Sequence, residues 1–446
     1  MGCGGASRRS ARPSCCAGSP LEAGRAGRDR PPGGCANRSP AQCPPPPFAP
    51  MRTIMRPFTF QTSPNILFEP GAAAKLPEIV RGFGARRVLL VTDRGVRGAG
   101  LTQGAEAALR GAGLALAVYD DVAADPPAIL VEAGAARARA EGTDLVLAIG
   151  GGSALDTAKL VAYLARSDEP LESLYGVGLA QGQRLPLILV PTTAGTGSEV
   201  TPIAIVTTPG DEKKGVVSPR LLPDWAVLDP DLTLGLPAAV TAATGIDAMV
   251  HAIEAYTSRQ RKNPLSDQLA RQALALLSAH IRTACREGAD REARGAMLLG
   301  SMLAGMAFAN APVAAVHALA YPIGALFHVP HGLSNALVLM GVMRFNLPHA
   351  QTLYAELAPI LDPAAAGLPV QEAAARFVAS LAAICRDCGV PASLAAVGIG
   401  EGDLDRLAAD AMKQTRLLVN NPREVTLAQA RAIYAEALGA EGRAGA

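Results

Sequence analysis

The chain holds only six histidines, and three of them fall where they can share one cation with an acid. In Gly245-Ile246-Asp247-Ala248-Met249-Val250-His251-Ala252-Ile253-Glu254 the pattern is helical and apolar nearly all round. Asp247 and His251 stand four apart, hence on one face. A carboxylate in such surroundings is costly unless a cation or hydrogen-bond donors meet it. His317, in His317-Ala318-Leu319-Ala320-Tyr321-Pro322, and His331, in His328-Val329-Pro330-His331-Gly332, lie in another largely apolar segment. Singly, each reads as a satisfied core histidine. As a set with Asp247 they suit Zn2+ or Fe2+, with room left for a substrate oxygen. No cysteine lies nearby, so a thiolate site is excluded. His280 and His349 read as surface or cap residues, while His328 either lines the same cleft or packs.

A second kind of chemistry sits earlier in the chain. Ile149-Gly150-Gly151-Gly152-Ser153-Ala154-Leu155-Asp156-Thr157-Ala158-Lys159 falls where an apolar run hands over to a helical one. Glycines let a phosphate approach the backbone, and the first N–H groups of a helix bind the anion. The spacing is not G-x-G-x-x-G, so the pattern alone is equally a structural tight turn. A second loop, Pro191-Thr192-Thr193-Ala194-Gly195-Thr196-Gly197-Ser198-Glu199, also follows an apolar run and reads as a binding loop or an ordinary polar connection. Asp93 ends the run Val88–Val91. It is placed either to form a turn or to accept both hydroxyls of an adenosine ribose, which would favour NAD over NADP.

These residues need a scaffold of two kinds. Between about residues 51 and 230, Arg87–Asp93, Leu116–Tyr119, Asp144–Gly150 and Leu185–Val190 read as strands separated by helices at Gly104–Gly113, Pro127–Glu141 and from Ser153. Continuous apolar strands alternating with helices predict a parallel sheet covered on both faces, with ligands beyond the strands' carboxyl ends. Pro209-Gly210 predicts a hairpin between Ile203–Thr207 and Gly215–Ser218. From about residue 231 to 446 the pattern is helical: Pro237–Ser258, Ser266–Ala284, Asp290–Asn310, Ala311–Phe327 and later segments. An α/β part followed by an all-α part predicts two domains with a cleft between them.

The 446 residues are 49% hydrophobic with a net charge of +2, which excludes a disordered chain and a general nucleic-acid binder. No run approaches the ~20 apolar residues of a membrane-spanning helix. Residues 1–50 stand apart: five cysteines, Cys3, Cys15, Cys16, Cys35 and Cys43, many arginines, and Pro44-Pro45-Pro46-Pro47. They read as a disordered tail or a start codon assigned too early, as a transit peptide, or as a disulfide or metal module. Cys385-Arg386-Asp387-Cys388 closes a helix rather than opening one, so this C-x-x-C reads as packing, and a reducing cytoplasm fits.

In combination, Gly150–Lys159, Pro191–Glu199, Gly245–Tyr256, His317–Asn335 and Asn420-Asn421-Pro422-Arg423 resemble the iron-containing (group III, metal-dependent) alcohol dehydrogenase family, relatives of glycerol dehydrogenase and dehydroquinate synthase. The resemblance runs from about Phe58 to Tyr434. It implies an N-terminal Rossmann-like parallel-sheet domain and a C-terminal helical-bundle domain. It also implies that Gly151, Gly152 and Ser153 bind the dinucleotide pyrophosphate with Asp156 close by. Thr192, Thr193, Thr196, Thr201 and Ile205 would contact the cofactor, Lys213 would approach its ribose, and Asp247, His251, His317 and His331 would hold Fe2+ or Zn2+. Many members carry a further histidine four residues after the third ligand, where this chain has Tyr321. Tyr321 and His328 are therefore the candidate proton-handling residues. The implied activity is hydride transfer between NAD and a small alcohol or aldehyde by a cytoplasmic homodimer or larger homo-oligomer. Alternatives are a hydroxyacid–oxoacid transhydrogenase, a maleylacetate reductase-type enzyme (a group that generally lacks this metal set), and a non-catalytic nucleotide- or metal-binding protein.

Overall fold

Leu145–Gly150 is apolar at every position because both its faces are covered. Leu145, Leu147 and Ile149 enter one core, while Val146 and Ala148 enter another on the opposite side of the sheet. In the computed structural model, which describes residues 57–210 and 212–439, this strand lies within a six-stranded sheet. The strands of the first half are β1 (Asn65–Phe68), β2 (Arg87–Val91), β3 (Ala115–Tyr119), β4 (Leu145–Gly150), β5 (Gly176–Val177), β6 (Leu187–Pro191), β7 (Ile203–Thr207), β8 (Lys213–Val217) and β9 (Trp225–Leu228). Its helices are α1 (Leu76–Gly82), α2 (Arg94–Gly98), α3 (Gln103–Gly111), α4 (Ala128–Ala140) and α5 (Gly152–Leu164). The sheet order is β1-β9-β6-β4-β2-β3, with every pair parallel.

Strand β2 is followed by β3 on one side and by β4 on the other, so the chain reverses its direction of travel across the sheet between β2 and β4. The carboxyl ends of these two strands, at Thr92-Asp93 and Gly150-Gly151, therefore flank the crevice where open parallel sheets bind ligands. The Thr92 hydroxyl donates to the Ile149 carbonyl at 2.7 Å and ties the two ends together. The expected hairpin forms from β7 and β8, starting two residues earlier on its second strand than the glycine-based reading placed it, and β5 joins it in a small second sheet. Strands β1 and β9, at one side of the large sheet, escaped the sequence reading because each has only four residues and no alternation.

The second half is helical: α6 (Ala238–Thr257), α7 (Pro264–Arg286), α8 (Arg291–Asn310), α9 (Ala315–Phe327), α10 (His331–Leu361), α11 (Val370–Asp387), α12 (Leu404–Ala411), α13 (Thr415–Leu418) and α14 (Leu427–Leu438). Helix α6 is buried on nearly every side from Gly245 to Thr257. No single helix among the described residues is long and apolar enough to cross a membrane. Cys385 is buried at the end of α11, as the packing reading of the C-x-x-C expects. The readings made for residues 1–50 fall outside the described residues.

At two glycines the two halves meet through backbone packed too closely for a side chain. A Cβ added to Gly197, whose φ is 59°, would lie 2.5 Å from the Cα of Gly305 on α8. One added to Gly195 would lie 2.7 Å from the Thr244 side chain on α6. Gly197→Ala therefore combines left-handed strain with a backbone overlap, and is expected to cost about 2–4 kcal/mol in urea unfolding. Gly104→Ala, in α3 with nothing within 4 Å of its added methyl, is expected instead to be neutral or to gain up to about 1 kcal/mol. Equal effects at the two positions would contradict this account of the contact.

Candidate metal and cofactor site

Four side chains from three helices converge in the wall of a cleft of ≈ 1030 Å³. Asp247 and His251 come from α6, His317 from the first turn of α9 and His331 from the start of α10, and one ligand atom from each lies within 4.8 Å of all the others. From Asp247 Oδ1 the distances are 4.0 Å to His251 Nε2, 3.7 Å to His317 Nε2 and 3.8 Å to His331 Nε2. Three of the four are shut away from solvent. His331, with 30% of its side chain exposed against 2% for Asp247, stands on the side open to the cleft.

Outer hydrogen bonds decide which way the imidazoles face. His251 Nδ1 lies 3.2 Å from the Gly195 carbonyl and His317 Nδ1 lies 2.7 Å from Glu254 Oε2. Both partners accept only, so both Nδ1 atoms carry hydrogen and, in the neutral rings, both Nε2 atoms present lone pairs inward. These two Nε2 atoms are 2.9 Å apart. Lone pairs at that separation repel unless a proton or a cation lies between them. The Asn335 amide nitrogen donates to Asp247 Oδ1 at 2.6 Å, leaving its own buried Oδ1 without a partner. Burial pushes the Asp247 carboxyl up to about 6, against the His317 charge and the Asn335 hydrogen bond, and pulls His251 and His331 well down. At His317 burial also pulls down, but Glu254 and Asp247 outweigh it and its pKa is raised. One acid and three inward-facing imidazoles, with one open side, fit a divalent cation.

The same cleft is also lined by Asp93, Gly151, Gly152, Ser153, Asp156, Thr193, Thr196, Thr201, Ile205 and Lys213. The glycines here serve packing as well as access: a Cβ on Gly152 would lie 2.7 Å from the Thr196 side chain, so the two loops touch. Asp93 caps α2, its Oδ1 accepting from Val96 N at 2.9 Å, so the turn reading and a cleft-facing position hold together. Asp156 accepts from Ile205 N at 2.9 Å, from Lys159 Nζ at 3.3 Å and from the Ser198 hydroxyl. Lys213 lines the cleft while paired with Asp125 at 2.7 Å. Thr192 is buried behind the loop, its N–H bound to the Gly150 carbonyl, rather than lining the cleft.

Residues 63–230 match the family described as iron-containing alcohol dehydrogenase, and residues 241–438 match the C-terminal part of the Fe-containing alcohol dehydrogenase family. The chain belongs to the iron-containing alcohol dehydrogenase family. Long-chain-alcohol dehydrogenase 1 of Geobacillus thermodenitrificans (strain NG80-2) is 43% identical over 380 residues, 83% of this chain and 95% of that protein. The NAD-dependent methanol dehydrogenase of Bacillus methanolicus is 32% identical, covering 85% of this chain and 99% of its own. A crystal structure of 1,3-propanediol oxidoreductase superposes with a TM-score of 0.83 at 36% identity, covering 86% of this chain and all of that one (100%). As a member of this family the protein is an oxidoreductase acting on CH–OH groups.

Of the two proton-handling candidates, the structure brings one to the site. Tyr321 lines the cleft with its ring centroid 6.0 Å from that of His331, and burial raises its pKa, so the phenol keeps its proton. His328 is exposed at the C-terminal cap of α9, where a left-handed φ of 54° turns the chain, and it does not line the cleft. Three partners went unread in the sequence. Glu254 completes D-x-x-x-H-x-x-E on one face of α6, Asn335 follows His331 by one helical turn, and Phe308 stacks on His251 at 4.3 Å. Helical spacing pointed to the first two, whereas Phe308, on another helix, had no local signal.

At the end of the loop after β6, Glu199 is buried with Oε1 unpartnered. Burial pushes its carboxyl up to about 7, against a backbone hydrogen bond and the Lys159 charge. The folded value lies above the ordinary one, so its contribution to stability is full below about pH 4.5 and is lost as pH rises through 7. Glu199→Gln is expected to flatten that decline, gaining on the parent protein by up to about 3 kcal/mol at pH 8 relative to pH 4.5 in urea unfolding. An unchanged pH difference would remove Glu199 as its source.

Proposed function

We propose that the protein is an NAD-dependent, divalent-metal-dependent alcohol dehydrogenase and aldehyde reductase, moving a hydride between nicotinamide and a small alcohol or carbonyl compound. The observation that carries this reading is a single cleft lined both by the Asp247–His251–His317–His331 cluster and by the Gly151-Gly152-Ser153 turn with Asp93. In this reading residues 51–230 hold the cofactor and residues 231–446 hold the metal and the substrate.

Gly151, Gly152 and Ser153, at the N-terminus of α5, would take the pyrophosphate against the helix dipole. Asp93 would accept the ribose hydroxyls, and its charge would repel a 2′-phosphate; the NAD-dependent relative supports that preference. Asp247, His251, His317 and His331 would hold Fe2+ or Zn2+, whose Lewis acidity polarises a substrate C–O bond. Tyr321 would donate a hydrogen bond at the substrate end. Phe308, Val313 and Leu333 would cover its carbon chain and exclude water. A cytoplasmic homodimer or larger homo-oligomer is the assembly the family resemblance suggests.

The direct test is metal analysis of the purified protein combined with an NADH-absorbance screen over alcohols and aldehydes. His331→Ala is expected to lose bound metal and at least about 100-fold in turnover, while NADH binding by fluorescence persists. A fully active, metal-free variant would overturn the metal assignment. Activity that needs no added NAD, with cofactor retained through each cycle, would favour the transhydrogenase alternative. Asp93→Gly is expected to raise kcat/KM with NADP by about 10-fold or more relative to NAD, as relief of one charge repulsion allows. An unchanged ratio would remove Asp93 from cofactor choice.

A further inference from the structure

Between α8 and α9 the chain leaves helical geometry at Ala311–Ala314 and turns a corner before delivering His317 to the metal cluster. One buried carboxylate holds the far side of that corner. Glu254 Oε2 accepts from Ala314 N at 2.8 Å and from His317 Nδ1 at 2.7 Å, and Oε1 accepts from Val316 N at 2.7 Å. The corner is pinned elsewhere too: the Ser258 hydroxyl donates to the Pro312 carbonyl and the Asn420 amide to the Val313 carbonyl, each at 2.8 Å. Pro312 and Val313 are themselves part of the cleft wall.

We propose that Glu254 is the positioning residue of the metal site. It selects the His317 tautomer that turns Nε2 toward the metal, and it ties that imidazole to the corner forming the substrate wall. This rests on the metal reading given above. The chemistry favours a carboxylate at this position. Three donors converge there, and only an acceptor-only group satisfies all of them. A glutamine would turn an N–H toward one of the three, and an aspartate would be a methylene too short. A carboxylate on the outer nitrogen also makes the inner nitrogen a stronger donor to a cation. Asp247 and Glu254 together bring two buried carboxylates to the cluster, a charge that a divalent ion matches.

The test strips the full-length protein of metal and titrates it with Zn2+ or Co2+ against a chromophoric chelator, comparing the parent protein, E254Q, H317A and the double variant. Unfolding of each metal-free form is followed in parallel. E254Q is expected to bind about 10–100-fold more weakly and to shift the visible Co2+ bands, with substrate KM raised as well as kcat lowered. In the His317→Ala background the same change is expected to cost at most about 2-fold, because the two residues act as a unit. If E254Q does not fold, E254D, which keeps the charge but withdraws it, serves in its place and is expected to bind more weakly too. Parent-like affinity in the variant used, or an equal loss with and without His317, overturns the proposal. If the stripped parent protein takes up neither ion, the metal reading itself fails; uptake by the parent with no change in the variants sinks only the role of Glu254.

Discussion

A carboxylate buried among imidazoles sets the terms for the rest of the molecule. Asp247 sits on a helix with almost no solvent contact, and an isolated ionised carboxyl there is strongly disfavoured. The surroundings answer with one amide donor from Asn335 and with the Nε2 atoms of His251 and His317, whose outer hydrogen bonds leave the neutral rings only lone pairs to offer. That combination is poor as a hydrogen-bonded core and good as a cation cage. It also explains the architecture of the second half. Ligands from α6, α9 and α10 meet only if α6 runs through the centre of the bundle, so its sequence has to be apolar on the faces that carry no chemistry.

The loop after β6 and helix α6 form one mechanical unit. The Gly195 carbonyl, in the loop after β6, receives the His251 Nδ1–H, and the same glycine presses against Thr244 with no room for a methyl. Two residues on, Gly197 touches the backbone of α8. A displacement of this loop therefore moves a member of the metal cluster, and the reverse holds as well. Hydride transfer needs its donor and acceptor within a few ångströms at a fixed angle. The close backbone contacts at Gly195 and Gly197 hold that spacing better than long, rotatable side chains alone would.

Much of this was legible in the sequence because the signals were local and periodic. The strands of the sheet interior announced themselves as unbroken apolar runs, and Asp247 with His251 announced a shared helix face. The four cluster residues could be grouped by type, but their convergence depends on the corner at Ala311–Ala314. The sequence reading ended one helix at Asn310 and began the next at Ala311, so it ran the second helix across the corner although Pro312, which cannot donate to a helix passing through it, stands there. Pro312 starts the break, and Glu254, Ser258 and Asn420 hold it by capturing backbone groups that a helix would have used. Phe308 and Gly305 were unreadable for a related reason: each matters only for what another element brings to it.

Two aspartates in the cleft look alike in sequence, each close to a glycine turn, and their hydrogen bonds separate them. Asp156 spends Oδ1 on Ser198 and Lys159 and Oδ2 on the Ile205 N–H, so it braces α5 against β7 and the second loop. Lys159 is fully buried and binds Ser198, Thr201 and the Ile203 carbonyl besides, completing the brace. Asp93 uses only Oδ1, for its helix cap, and its Oδ2, at the strand reversal, makes no hydrogen bond within the fold. Proximity to the cleft is common to both; unused acceptor capacity is not. A carboxylate whose lone pairs are already satisfied by the fold positions other groups, whereas one left half-satisfied at the mouth of a parallel sheet can recognise something the fold does not supply.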